Sequence, residues 1–319
     1  MDTTWDCIVV GGGAAGLSAA LALGRARRRT LVVDAGAQSN LPAHGIGGLL
    51  GHDGRPPAEL YALGRRELAA YPSVEVRDGE VVAGERRDGG GFQLELADGR
   101  RETARRVLLA TGMDYRPPEL PGIAERWGRS VFHCPFCHGW EVRERPLAVL
   151  DRGEDGARRA VLLRSWSDEV TLLADGPAGL SDDDARRLDA LGVTVDERPV
   201  AGLRGTGDAL EAVEFADGGE LRCEGLLVPV TLHQRSPLAE QLGAVSASAG
   251  LAADAVVVDP FNQTDVPGLA AAGDLTGAMP SVANAVAAGA QAAAFVVHGL
   301  MDEQAAGEPV GVSDDRARR

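Results

Sequence analysis

A chain of 319 residues has room for two domains, each able to bury its own core. Hydrophobic residues make up 45% and charged residues 25%, as in soluble globular proteins; no apolar run reads as long enough to span a bilayer, and Asp2 and Asp6 stand where a signal peptide would be basic, so a cytoplasmic protein with no membrane partner is expected. The formal net charge of -15 disfavours nucleic acid, and because all 32 basic residues are arginine, Schiff-base chemistry and a Walker-type phosphate lysine are excluded.

Asp6–Val10 predicts a buried strand, Gly11–Gly16 a tight turn, Leu17–Arg27 an Ala/Leu helix, and Thr30–Val33 a second strand ending at Asp34. The result is a βαβ unit with a G-x-G-x-x-G pattern at Gly11, Gly13 and Gly16. Its acid at residue 34 lies 23 positions after Gly11, near the roughly 20 expected of a ribose-binding carboxylate. Gly11 permits the turn, Gly13 lets the backbone approach a pyrophosphate, and Gly16 lets helix pack on strand. The helix N-terminus offers unpaired N–H groups to phosphate, and Ala14 and Ala15 in the turn are candidates for cofactor contact. Asp34 would accept ribose hydroxyls; the plainer alternative is an Asp that caps a turn.

The Gly- and Pro-rich stretch 40–57 carries His44, His52 and Asp53 without assignable roles; Gln38 and Asn40 are candidates for cofactor contact. A strand-like Val107–Ala110 runs into Thr111-Gly112, and Arg116-Pro117-Pro118 reads as a linker. Next comes Cys134-Pro135-Phe136-Cys137-His138, a redox dithiol spacing. No second C-x-x-C or H-x-x-H supplies further ligands, so no metal is expected. Cys7 and Cys223 read as structural. Phe136 could stack on substrate or fill core, and Trp140 reads as core.

A second βαβ pattern begins near residue 146. With Asp151 set on Gly11, Gly153 falls on Gly13, Gly156 on Gly16 and Ala174 on Asp34. As a nucleotide cradle it is degenerate. Asp151 replaces the turn glycine, Glu154 and Asp155 put carboxylates where pyrophosphate would lie, and Ala174 cannot hold a ribose. The alternative is drift, with binding kept through other contacts. Near the C-terminus, Leu269–Gly273 predicts a strand ending at Asp274. Ser281–Gly299 predicts an Ala-rich helix capped by Ser281 or Pro280, and the tail from Met301 to Arg319 reads as polar and mobile.

Together the Gly11–Gly16 fingerprint, Ala110-Thr111-Gly112, Cys134-x-x-Cys137 and Gly273-Asp274 before a helix resemble the low-molecular-weight thioredoxin reductase family, from about residue 5 to about residue 300. The resemblance implies an α/β fold of two Rossmann-like, three-layer dinucleotide-binding domains, the second inserted in the first. Residues 1–113 and 243–319 would bind FAD non-covalently; residues 114–242 would form an NAD(P)H-like domain carrying the dithiol. By the same resemblance Ala110, Thr111, Gly112, Gly273 and Asp274 line the FAD site, and the protein is a homodimer. Two departures, His138 after the second cysteine and the broken second fingerprint, resemble the FAD-dependent dithiol oxidases of gliotoxin- and holomycin-type biosynthesis. Those enzymes close a disulfide in a small-molecule dithiol and pass the electrons to O2. The resemblance then implies a Cys134–Cys137 disulfide in the oxidised enzyme, with Cys134 exchanging with substrate and Cys137 reducing FAD. His138 is the candidate base and His133 a weaker one; each could instead be a packed histidine. NAD(P)H would not be used. The alternatives are an NADPH-dependent thioredoxin or disulfide reductase and a flavin-binding redox sensor.

Overall fold

The structure, a computed structural model, describes residues 4–306. It divides into two compact units. One comprises the described residues up to Ser39, Ala58–Tyr115 and those from Leu232 onward; the other comprises Asn40–Pro57 and Arg116–Thr231. The sequence reading divides the chain at 113/114 and 242/243 and leaves the stretch 40–57 with the first domain. That stretch instead joins the second unit, where Arg129 Nε donates to the Pro42 carbonyl at 2.8 Å and His44 Nε2 lies 2.9 Å from Asp208 Oδ2.

The first unit is built on a sheet ordered Val74–Asp78, Thr30–Asp34, Trp5–Val10, Arg101–Leu109, Phe92–Leu96, Val81–Arg86, with Leu269–Ala271 also pairing Arg101–Leu109. The strands around Trp5–Val10 are parallel. Because both sheet faces are covered, these strands are near-continuously apolar, with Ile8, Val9, Leu31 and Leu108 wholly buried. The helices Ala14–Arg25 and Val282–Ala305 close one face through Leu17, Leu23, Ala292, Ala293 and Val296.

The first helix begins at Ala14, three residues before the sequence suggested, so Gly16 lies inside it and the turn is confined to Gly11–Gly13. The final helix runs to Ala305 rather than stopping at Gly299, which takes the start of the expected tail into helix; the tail beyond residue 306 lies outside the described residues. Ser281 is its cap, accepting from the Asn284 amide at 3.1 Å. By length and composition alone this helix could cross a membrane, contrary to the sequence reading, but Gly289, Ala292, Ala293, Val296 and Leu300 are buried against the protein's own core.

The second unit repeats the plan. Its five parallel strands run in the order Thr194–Asp196, Val170–Leu173, Leu147–Leu150, Gly225–Leu227, Val131–Phe132. Alternate side chains face opposite layers. Phe132, Leu147, Val149, Leu172 and Leu227 pack toward helix Gly153–Leu163 and Leu188. Val131, Ala148, Leu150 and Leu226 pack on Leu203, Val213 and Phe215 of a three-stranded antiparallel sheet. The fold is thus the mixed α/β, two-domain Rossmann-like arrangement expected.

Candidate active site

The dithiol follows directly from the edge strand Val131–Phe132, at the carboxyl end of a parallel sheet, where open α/β sheets place their ligands. Cys134 caps a short helix, Pro135–His138, whose first residue is a proline with φ preset for that position. Cys134 and Cys137 form a disulfide with their Cα atoms 5.3 Å apart. Phe136, between them, is 69% exposed and meets Trp166 edge-on at 5.3 Å. Trp140 is not core: it is 66% exposed, with the Arg143 guanidinium 3.8 Å over its ring. That stacking lets an aromatic stay at the surface.

His138 stacks on Phe132 with ring centroids 5.6 Å apart. Both its ring nitrogens are buried, and neither makes a well-aligned hydrogen bond among the described residues, although the Cys134 and Gly128 backbone lies close enough to act on the ring. Burial lowers its pKa; the nearby Cys134 and Gly128 backbone and the Glu141 charge work in the other direction. His133 stacks on Trp127 at 5.9 Å, and burial, with His138 close by, pushes its pKa down to about 4. Both imidazoles are therefore neutral at pH 7. Cys7 and Cys223 are buried, and burial pushes both thiols up to about 12, so neither is a reactive thiolate.

The first fingerprint forms a cradle in which side chains do not fit. Gly11 has φ 109°, and a Cβ there would lie 2.2 Å from the Ala110 carbonyl oxygen; one on Gly16 would lie 1.8 Å from the Gly11 carbonyl oxygen. Asp34 is 5% exposed and accepts from the Gly12 amide at 3.1 Å, the Gly36 amide at 3.1 Å and Gln38 Nε2 at 3.0 Å. Ala14 and Ala15 open the helix after Gly13, and Ala110-Thr111-Gly112 continues the neighbouring strand, Gly112 with φ 67°. Asp274 follows Gly273 (φ 81°) and accepts from the Tyr115 hydroxyl at 2.7 Å; burial raises its pKa. These residues share the first unit, whereas Asn40 belongs to the second.

Three participants escaped the sequence reading. Arg65 Nη2 lies 2.5 Å from Asp34 Oδ2, Tyr115 holds Asp274, and the Gly12 amide holds Asp34. Only Gly12 carries a signal in the sequence, as a third glycine in the turn.

In the second cradle several groups bond to one another. Asp151 keeps the strand-end bond, its amide donating to Leu173 at 3.1 Å as the Gly11 amide does to Val33 at 2.8 Å. The Gly153 amide, which matches Gly13, donates to the Ala178 carbonyl at 2.7 Å. The Asp151 carboxylate pairs with Arg159, and Arg152 Nη2 donates to the Asp175 carbonyl at 3.0 Å. Glu154 and Asp155 occupy the first helical turn, where Arg158 beside Asp155 lowers its carboxyl pKa.

A glycine cradle with a buried acid, beside a second unit of the same βαβ plan that carries a disulfide, is the arrangement of the pyridine nucleotide-disulphide oxidoreductases. The chain matches that family over residues 5–291 and belongs to it. It is thus a thiol–disulfide oxidoreductase of an FAD-binding family. The "Thioredoxin reductase tcpT" of Claviceps purpurea is 33% identical over 302 residues, covering 89% of this chain and 90% of that one. An oxidoreductase from Agrobacterium tumefaciens, solved as a crystal structure, is 36% identical with a TM-score of 0.88, over 94% of this chain and 99% of its own. The crystal structure of HlmI is 38% identical with a TM-score of 0.87, over 95% and 94%.

Proposed function

We propose that this protein is an FAD-dependent dithiol oxidase. It closes an intramolecular disulfide in a small-molecule dithiol and delivers two electrons, by way of FAD, to O2 to give hydrogen peroxide. One observation carries this reading over NAD(P)H use: the Gly153 amide is committed to Ala178 in a cradle crowded by Asp151, Glu154 and Asp155. Carboxylates at that helix end repel a pyrophosphate and compete for its donors.

The room left by Gly11 and Gly16 and the buried Asp34 fit a dinucleotide. Gly11, Gly13, Ala14, Ala15 and Gly16 would hold the pyrophosphate, Asp34 and Gln38 the ribose. Ala110, Thr111, Gly112, Gly273 and Asp274 would border the remainder. Bound FAD supplies a two-electron acceptor and the site at which O2 is reduced.

The thiol chemistry belongs to the chain. A substrate thiolate attacks Cys134 Sγ, the Cys134–Cys137 bond breaks, and Cys137 leaves as thiolate. The second substrate thiolate then displaces Cys134 and releases the product disulfide, leaving the two electrons on the reduced pair. His138, neutral at pH 7, takes the substrate proton. We further infer a homodimer, from the family resemblance.

The name carried by the relatives favours a second reading, a pyridine-nucleotide-dependent disulfide reductase. Anaerobic mixing with dithiothreitol or NADPH, followed at the flavin band, separates the two. Bleaching by dithiol alone, with peroxide on re-aeration, is expected. Rapid bleaching by NADPH would overturn the oxidase reading, and bleaching by neither would leave a flavin-binding sensor.

A further inference from the structure

Within the second unit lies a cavity of about 380 Å³ whose lining includes Cys137, His138, Glu141, His44, Arg129 and Asp208. It adjoins the one residue of the dithiol motif with an unmet hydrogen-bonding requirement. Neither ring nitrogen of His138 makes a well-aligned hydrogen bond among the described residues, and stacking on Phe132 holds the ring in place. A buried polar group left unsatisfied is costly, so a buried imidazole beside a cavity is a site for water. At 380 Å³ the cavity far exceeds the roughly 30 Å³ that one water occupies. Elsewhere in its lining, Asp208 Oδ2 binds Arg129 Nη1 at 2.6 Å and His44 Nε2 at 2.9 Å, and the His44 side chain is 69% exposed. Glu141, Arg129, Asp208 and His44 thus share one cavity with the imidazole, and His44 opens to solvent.

We propose that this cavity is the proton outlet of His138: water within it takes the proton that His138 has drawn from a substrate thiol and releases it past the His44–Asp208 pair. The proposal rests on the reading of His138 as the base. In each turnover the dithiol loses two protons and two electrons. The electrons remain on Cys134 and Cys137 as their S–S bond opens. Each proton moves as a thiol S–H bond breaks and an imidazole N–H forms; that N–H then breaks as water is protonated, and His138 is neutral again for the second thiol. Glu141 favours the transient imidazolium, and burial opposes it. Buried neutrality suits the cycle, since a base that released its proton slowly would stall after the first thiol.

The FAD-loaded enzyme tests this by chemical rescue. His138→Ala should slow anaerobic flavin reduction by dithiothreitol about a hundredfold. Added imidazole, entering through the cavity, should restore a rate that rises with its concentration. Ala209 is exposed in the cavity lining, so a larger side chain there would narrow the cavity. Ala209→Phe should abolish the rescue in the double variant. In the otherwise unchanged enzyme it should lower kcat and enlarge the solvent isotope effect with KM unchanged, the flavin content showing that it folds. An undiminished His138→Ala would remove the base and the outlet together. A slow His138→Ala that imidazole does not rescue would overturn the outlet while leaving the base in place. A rise in KM alone for Ala209→Phe would make the cavity a substrate pocket and overturn the outlet as well.

Discussion

His133 and His138 flank the dithiol, and burial disfavours the charged form of both. The consequence for stability follows from the sign of the shift. The pKa of His133 lies near 4 in the folded chain and near 6.5 when unfolded, so between those values the unfolded state binds more protons and stability falls as pH drops. The full cost, on the order of 3 kcal/mol, is reached below pH 4. His133→Phe keeps a ring against Trp127 and removes the proton site. Urea midpoints compared at pH 7 and pH 5 should show a smaller acid loss in the variant than in the parent; equal losses would show that His133 does not carry the linkage. The cysteines make a separate prediction. Neither belongs to the glycine cradle, so Cys134→Ser and Cys137→Ser should each keep FAD, seen as an unchanged visible band, while losing disulfide-forming turnover. Loss of the flavin in either would tie the dithiol to cofactor retention.

The cradle depends on two helices at close range. A Cβ on Gly289 of helix Val282–Ala305 would lie 2.0 Å from the Ala15 carbonyl oxygen, a backbone atom of helix Ala14–Arg25. Gly289→Ala gains up to about 1 kcal/mol of helix propensity. Overpacking of about 1–3 kcal/mol opposes it, and here the obstacle is backbone with no rotamer to yield. The net should be destabilising, with weaker FAD retention because Ala15 is displaced; a Gly289→Ala protein with an unchanged melting midpoint and flavin content would refute the close contact. Much at this scale was legible. Strand, turn, helix, strand and acid from residue 6 to residue 34 follow from periodicity and glycine spacing, and the same ruler set Gly153 and Ala174 in register. What escaped lies in tertiary structure. Arg65 stands 31 positions from Asp34, on the helix Pro57–Leu68, and only the tertiary fold brings the two together. The bond from Gly153 to Ala178 joins two backbones and has no side-chain signature. Trp140 looked like core because bulk usually is; the neighbouring Arg143, which covers its ring, is apparent only in three dimensions.

The whole molecule contains two cradles of one plan whose loops bond differently. In the first, the residue matching Ala178 is Gln38, whose side chain reaches Asp34 at 3.0 Å. In the second, the backbone at Ala178 occupies the Gly153 amide, and Arg159 neutralises Asp151 without leaving an open anion site. A ligand stabilises whatever binds it by RT ln(1 + [L]/Kd), about 2.7 kcal/mol at a hundredfold excess over Kd. Hydrogen exchange read by mass spectrometry resolves that gain by segment. FAD added to deflavinated protein should slow exchange across Trp5–Val10, Ala14–Arg25 and the start of Val282–Ala305. NADPH at millimolar concentration should leave Leu147–Leu150 and Gly153–Leu163 unchanged, because the Gly153 amide is already bonded to Ala178. Slowed exchange in Gly153–Leu163 on adding NADPH would show that the second cradle binds it after all, and electrons would then have a route into this molecule that does not begin at a substrate thiol.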